Sequence, residues 1–96
     1  MKDNAPFRNI IIPDEILELL PSQGSVELQR DVPHKVHDFH THPVDEVLFV
    51  IQGALVFTID DEPRTVGPGD RVFLPAGTNH KSEALDQGAI YVIAAQ

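Results

Sequence analysis

Cysteine is absent from this 96-residue chain, and basic residues are few. Without cysteine the chain has no disulfide bonds, thiolate nucleophiles, cysteine-bound zinc or iron–sulfur clusters. Any metal must therefore be held by nitrogen and oxygen atoms. The 7 Lys and Arg residues are outnumbered by 15 Asp and Glu residues, so the formal net charge is −8. Such a surface repels phosphate backbones and anionic lipids, which predicts that nucleic acids and membranes are not partners.

Long hydrophobic runs are also missing. The longest apolar run covers residues 89–95, far short of a membrane span, and the first residues lack the apolar segment of a secretory leader. We therefore expect a cytoplasmic protein. A chain of this length forms a thin core, so a bound metal or a partner subunit would add stability.

Proline and glycine recur at close intervals, which is typical of short strands joined by tight turns. Only residues 13–20 favour a helix, because Pro13 suits a first helical turn and Pro21 ends the run. Strands are predicted at residues 25–32, 46–52, 54–59, 71–74 and 89–95. This pattern predicts an all-β barrel or sandwich with a short N-terminal helix. We expect one domain over residues 1–96, with an N-terminal extension at 1–24 and a barrel core at about 25–96.

Histidine is concentrated in one part of the chain, since four of the five lie between positions 34 and 42. His40 and His42 share one face of an extended strand, because side chains alternate between faces. Glu46 is also an even-numbered position and would share that face in an extended chain, whereas His80 comes from a separate segment. If the four side chains met in the fold, they would form a site suited to iron, manganese, nickel, cobalt or zinc. Taken singly, each is more often a solvated or hydrogen-bonded side chain.

The spacing of these residues resembles the two sequence motifs of the cupin superfamily. The matching positions are His40, His42, Glu46 and Gly53 for the first motif, and Gly69, Pro75, Gly77 and His80 for the second. Two positions depart from the family pattern. His34 stands where a glycine often opens the first motif, and Ala84 stands where an asparagine often ends the second.

The resemblance implies a double-stranded β-helix, a jelly-roll barrel, that binds one divalent transition metal inside. The residues that match the family's metal ligands are His40, His42, Glu46 and His80. The resemblance further implies that Gly53 ends one strand and that Gly69 opens another. It also implies a homodimer joined by strands outside the motifs.

Two other residues are candidates for acid–base chemistry beside the metal. His37 flanks the first motif and carries a ring that titrates near neutral pH, and Tyr91 is the only phenol in the chain. Each also has a structural interpretation, His37 as a solvated loop residue and Tyr91 as a core hydroxyl bonded to the backbone. Arg64 and Arg71 could neutralise a substrate anion, but we favour surface ion pairs for both.

Three functional hypotheses follow. The favoured one is a mononuclear metalloenzyme that acts on a small organic molecule, with dioxygenase, isomerase, lyase and hydrolytic chemistry all open. The alternative is a non-catalytic module that holds a metal and a small ligand as a sensor or a store. A purely structural barrel would require the polar site residues to find hydrogen-bond partners without a metal.

Overall fold

The computed structural model describes residues 11–96 and contains one short helix and six strands. In chain order they are α1 (Asp14–Leu17), β1 (Val26–Asp31), β2 (Val36–His40), β3 (Glu46–Ile59), β4 (Glu62–Val66), β5 (Arg71–Leu74) and β6 (His80–Ala95). The first ten residues of the predicted N-terminal extension lie outside this description. None of the helices in residues 11–96 is long and apolar enough to cross a membrane.

The two long strands, β3 and β6, form the spine of the sheet. They run antiparallel and pair from Glu46 opposite Ala95 to Ile59 opposite His80. β6 also pairs with β1 and β2, and β3 also pairs with β4 and β5, again all antiparallel. The main core is formed by Leu48, Val50, Leu55, Phe57, Val66, Val72, Leu74, Ala84, Ala89 and Tyr91. The predicted all-β architecture with a short N-terminal helix is confirmed.

The core-facing side of β3 changes from even to odd residue numbers part-way along the strand. Leu48 and Val50 are buried in its first half, and Leu55 and Phe57 are buried in its second half. Register shifts between Val50 and Leu55 account for the change. The sequence predicted two strands separated by Gly53, which is wrong. β3 instead continues through a β-bulge, whose extra residues return apolar side chains to the core.

Gly53 is needed at this bulge because the backbone of β6 approaches it closely. Its φ is 72°, in the left-handed region. A Cβ atom at position 53 would lie 2.0 Å from the carbonyl oxygen of Gly88, well inside van der Waals contact. Glycine therefore serves both the backbone conformation and the close approach of the two long strands.

Of two further turns predicted from the sequence, one agrees with the structure and the other is shorter than predicted. Gly69, with a φ of 90°, lies in the turn just before β5, as expected. Residues 60–63 were predicted as a hairpin tip, but only Asp60 and Asp61 form the turn, and β4 begins directly after them. Their φ values of 50° and 63° match the two-residue type I′ turn that closes tight hairpins.

Helix α1 is shorter than the predicted residues 13–20, but it has a clear packing role. Pro13 is its N-cap residue, and the chain leaves the helix through hydrogen-bonded turns that end before Pro21. Leu19 is buried against Phe49 and Ala94 in a second apolar cluster. This segment therefore covers part of the outer face of β3 and β6, on the side away from the main core.

Candidate metal centre

Three imidazole rings meet where β2 lies against the start of β6. His40 ends β2 and pairs in register with His80, and His42 follows in the next loop. The ring centroids are 4.3 Å apart for His40 and His80, 4.8 Å for His40 and His42, and 5.1 Å for His42 and His80. One nitrogen from each ring lies within 4.8 Å of the others, so the three could bind one cation.

Backbone carbonyl groups set the protonation of two of these rings. His40 Nδ1 lies 2.6 Å from the carbonyl oxygen of Asp38, and His80 Nδ1 lies 3.1 Å from that of Thr78. Because a carbonyl oxygen only accepts, Nδ1 must be the donor in each case. Nε2 then keeps its lone pair, which is how proteins commonly present imidazole to a metal.

The surroundings of His80 favour its neutral form. Burial lowers the pKa of His80 below its ordinary value, the nearby His40 and His42 rings act in the same direction, and the bond to Thr78 opposes them. The ring of Phe57 stacks on His80 at a centroid distance of 5.3 Å. A neutral, oriented imidazole is the form that binds metal ions.

Glu46 supplies a carboxylate beside the rings. Its Oε1 atom lies 3.7 Å from His42 Nε2, beyond hydrogen-bonding distance. Among residues 11–96 this oxygen is buried and has no hydrogen-bond partner. An unpartnered buried carboxylate oxygen is costly, and a cation bound next to it would offset that cost. The three imidazole nitrogens form the converging group, and the Glu46 oxygen beside His42 would add a fourth donor of a kind that suits a divalent transition metal.

Two hydrogen bonds join the loop that carries His42 to the turn that precedes His80. The backbone N–H of Gly77 donates to the carbonyl oxygen of His42 at 2.9 Å. That of Ala76 donates to Asp45 Oδ1 at 2.7 Å. These contacts keep the two sequence motifs together. Sequence reasoning missed Asp45, because nothing around a loop aspartate indicates a partner 31 positions away.

The histidine cluster forms one wall of a partly open cavity of about 120 Å³. The other lining residues are Glu27, Gln29, His37, Glu46, Leu48, Phe57, Leu74, Ser82, Tyr91 and Ile93. Within residues 11–96, no lysine or arginine lines this cavity. Arg71 instead pairs with Glu18 at 2.8 Å, and Arg64 donates to the carbonyl oxygen of Arg71. Arg71 therefore forms a surface ion pair as expected, whereas the contact of Arg64 is with a backbone carbonyl rather than with an acidic side chain.

His37 and Tyr91 both contact a buried carboxylate, Asp31, that the sequence analysis did not single out. His37 Nε2 lies 3.0 Å from Asp31 Oδ1, and the Tyr91 hydroxyl donates to Oδ2 at 2.8 Å. Gln29 Nε2 also donates to Oδ1, at 3.0 Å. His37 is therefore part of β2 rather than a solvated loop, and the partner of Tyr91 is a side chain rather than the backbone. One signal was available, since Glu27, Gln29 and Asp31 alternate along β1 and share a face.

The contacts of Asp31 and Tyr91 determine the direction in which the pKa of each is shifted. Burial alone would raise the pKa of Asp31, but the hydrogen bonds from His37, Gln29 and Tyr91 outweigh it and lower the pKa. Burial, reinforced by the bond to Asp31, raises the pKa of Tyr91 far above its ordinary value. Asp31 is thus an ionised acceptor, and Tyr91 is a neutral donor.

We expect Asp31→Asn to destabilise the fold at neutral pH by about 1–3 kcal/mol, because a charged hydrogen-bond acceptor is lost. A folded-state pKa below the ordinary 3.8 means that ionised Asp31 adds stability above that pH. This contribution disappears as the pH falls through the folded-state value. Urea unfolding from pH 7 to pH 3 should therefore show the difference from wild type shrinking in acid. The exposed Asp86→Asn is the control, and a pH-independent difference for Asp31→Asn would contradict the expectation.

An antiparallel barrel with a histidine cluster on its inner wall defines a class of small β proteins with an internal site for a metal or ligand. The model of the cupin domain family matches residues 25–95 of this chain. The protein therefore belongs to the cupin family. Its structural neighbours share the jelly-roll barrel, so the fold implied by the two motifs is confirmed.

Two curated relatives are enzymes. The dimethylsulfoniopropionate lyase DddQ of Ruegeria pomeroyi is 38% identical over 52 residues, which make up 53% of this chain and 26% of the lyase. The acireductone dioxygenase of Rhodopseudomonas palustris is 36% identical over an alignment 70 residues long, which covers 62% of this chain and 42% of the dioxygenase. The chain thus spans less than half the length of either relative.

Solved structures show the same relationship. A Bacillus subtilis oxalate decarboxylase superposes with a TM-score of 0.69 and 29% identity, covering 74% of this chain and 20% of that one. The R. pomeroyi lyase superposes with a TM-score of 0.70 and 28% identity, covering 74% and 36% of the two chains. Mn(II) centres are described in the oxalate decarboxylase. Lyase, dioxygenase and decarboxylase chemistry therefore all occur among the relatives.

Proposed function

We propose that this chain binds one divalent transition metal and acts as an enzyme on a small organic molecule in the cavity beside the histidine cluster. The proposed ligands are His40, His42, Glu46 and His80. The observation that carries the proposal is the buried, unpartnered oxygen of Glu46 beside three imidazoles whose nitrogens lie within 4.8 Å of one another. Iron, manganese, nickel, cobalt and zinc all suit this donor set. A metal there would polarise a ligand oxygen or lower the pKa of a bound water.

The lining of the cavity narrows the class of substrate. Glu27 and Glu46 are acidic, and no lysine or arginine from residues 11–96 lines the cavity to balance a phosphate or a carboxylate. Leu48, Leu74 and Ile93 add apolar surface to the lining. We therefore propose a small substrate that is uncharged where it enters the cavity and has an oxygen that faces the histidines. Dioxygenase, isomerase and lyase reactions all fit such a substrate.

Elemental analysis of protein purified without added metal tests this proposal. We expect close to one divalent metal per chain, and a chelator should lower the melting temperature. Protein that is metal-free, takes up no added metal and melts at the same temperature with or without chelator would contradict the proposal.

Catalysis is tested separately, with oxygen consumption and product formation measured on a panel of enols, thiols, diketones and sugar phosphates. The metal-loaded protein should turn over an uncharged compound in preference to the sugar phosphates. The matched control is His42→Ala, which should be inactive. Tight binding of a panel compound without turnover would instead favour the alternative, a non-catalytic module that holds a metal and a small ligand.

We also propose that two copies of the chain associate through the outer face of β1. Leu28 and Val26 lie on that face and are 72% and 44% exposed. In the part of the chain that the structure describes, β1 has only β6 as a partner and forms an edge of the sheet. An apolar patch on an edge strand can meet its own copy around a two-fold axis. A homodimer would cover both the patch and the free edge.

Leu28→Glu is expected to convert this dimer to a monomer, because it places two like charges in an apolar contact. Light scattering coupled to gel filtration measures the change, and far-UV circular dichroism checks that the variant folds. Val44→Glu, a similar change at an exposed loop position, should remain dimeric. A monomeric wild-type protein would contradict the proposal.

We further propose that the chain forms a single domain, with an extension at residues 1–24 and a barrel core at about 25–96. We also propose that the protein is cytoplasmic.

A further inference from the structure

Asp31 lies behind the wall of the cavity and holds three side chains that line it. Its side chain is 1% exposed, and its two oxygens accept hydrogen bonds from Gln29, His37 and Tyr91. All three of these partners face the cavity that also contains the histidine cluster. The carboxylate therefore organises one polar wall of the site, although it does not itself line the cavity.

The contact with Asp31 determines which nitrogen of His37 is available. An ionised carboxylate only accepts hydrogen bonds, so Nε2 of His37 must carry a proton and donate it to Oδ1. In the neutral ring, Nδ1 then keeps its lone pair. Tyr91, by contrast, has no free proton to give to a ligand, because its hydroxyl proton is donated to Asp31. The phenol therefore cannot easily serve as the proton donor suggested by the sequence.

Other titratable groups at the cavity are less suited to accept a proton. His40, His42, Glu46 and His80 are the proposed metal ligands. Glu27 lines the cavity from β1, but it is exposed, whereas His37 is held in place by the buried Asp31. His37 has Asp31, whose negative charge balances an imidazolium ion as it forms.

We propose that His37 is the catalytic base for a ligand held at the histidine cluster and that Asp31 is the positioning residue that orients it. This inference rests on the proposed function and adds a group that moves protons. In an α-hydroxyketone, the C–H bond next to the carbonyl breaks and the proton goes to Nδ1 of His37. The electron pair passes to the carbonyl oxygen and gives an enediolate. The Nδ1 proton exchanges with the solvent D₂O, and delivery of the resulting deuteron to the same carbon restores the ketone with one C–D bond and no change in oxidation state.

Dihydroxyacetone in D₂O is a suitable probe, because it is small, uncharged and forms an enediol. Zinc-loaded protein should exchange its C–H protons for deuterium faster than free zinc ions do, as followed by ¹H NMR. His37→Gln should lower kcat by about 100-fold, and Asp31→Asn by at least about tenfold, with KM little changed. The double variant should be no slower than His37→Gln, because the two residues act as one unit.

The matched control is Asp86→Asn, which removes the other aspartate–histidine contact of the described chain at exposed positions. It should exchange at the wild-type rate. Zinc content is measured on every sample, so that loss of metal is distinguished from loss of proton transfer. Long-range ¹H–¹⁵N spectra of the metal-free protein should show His37 protonated at Nε2.

These outcomes separate the inference from the function on which it rests. Wild-type protein that binds no zinc would overturn the proposed function and this inference together. Two results would overturn the inference alone: zinc-loaded wild type that exchanges no faster than free zinc ions, and zinc-loaded variants that both exchange as fast as wild type. A neutral His37 protonated at Nδ1 would also overturn it, independently of any substrate.

Discussion

His80→Ala is expected to reduce the affinity for a divalent metal by at least about 100-fold, because one of three converging imidazoles is lost and a cavity replaces it. His80 is 4% exposed and is the member of the cluster that comes from a distant part of the chain. Competition with a chromophoric zinc chelator measures the change. The control is His34→Ala, since the side chain of His34 is 63% exposed and contacts only an exposed carboxylate, Asp86, among the described ion pairs.

The same variants test how much a bound metal stabilises the fold. A metal present at about 100 times its Kd stabilises the fold by about 2.7 kcal/mol. Adding chelator should therefore lower the melting temperature of the wild type and of His34→Ala, but leave that of His80→Ala unchanged. If His80→Ala bound zinc as tightly as the wild type, the proposed centre would be wrong.

Glu46→Gln should raise the melting temperature of the metal-free protein and lower that of the metal-bound protein. Without metal, the substitution removes a buried charge whose oxygen has no partner, so the melting temperature should rise. With metal, the lost carboxylate should weaken binding and lower the melting temperature relative to the wild type. A variant that is less stable than the wild type in both states would argue against Glu46 as a ligand.

Gly53→Ala is expected to prevent folding, with a loss in the free energy of unfolding of more than about 5 kcal/mol. The added Cβ would lie 2.0 Å from Gly88 O and 2.8 Å from Gly88 C, and both of these are backbone atoms that cannot rotate away. Relief would require β3 and β6 to separate at the bulge. Because these are the two longest strands and carry most of the core, separation there would disrupt the whole barrel. Far-UV circular dichroism and urea unfolding measure the effect.

Gly77→Ala provides the matched control for backbone conformation. Its φ of 81° is close to that of Gly53, but a Cβ atom there would meet nothing within 4 Å. This variant should lose only the cost of a left-handed alanine, about 1–2 kcal/mol. Similar unfolding midpoints for the two variants would show that the close approach of Gly53 and Gly88 does not limit stability.

The strand β1 was predicted correctly, but the sequence did not show which of its two faces would line the cavity. Alternation predicted a strand near residues 25–32, and β1 lies at Val26–Asp31. However, its apolar residues Val26 and Leu28 are on the exposed face, whereas Glu27 and Gln29 line the cavity. Periodicity identifies two faces, but it does not say which one the rest of the chain will cover.

The bulges of β3 illustrate a second limit. A glycine between two apolar segments is equally compatible with a turn and with a bulge, and the sequence prediction chose the turn. The choice depends on β6, because Gly53 lies opposite Ala89 and packs against Gly88. No local pattern contains that information.

The sequence by itself determined the β class of the fold, the absence of cysteine ligands and the two spaced motifs that mark the cupin family. These features are local, since strand alternation and motif spacing depend on residues a few positions apart. The motif resemblance predicted that His80 would join His40, but only the tertiary structure shows that the two pair in register across β2 and β6, and that Asp31 accepts hydrogen bonds from both His37 and Tyr91. Asp31 and Tyr91 are 60 positions apart. Contacts at such separations form only when the strands pair in register, and that register is set by burial of the whole core rather than by any one segment.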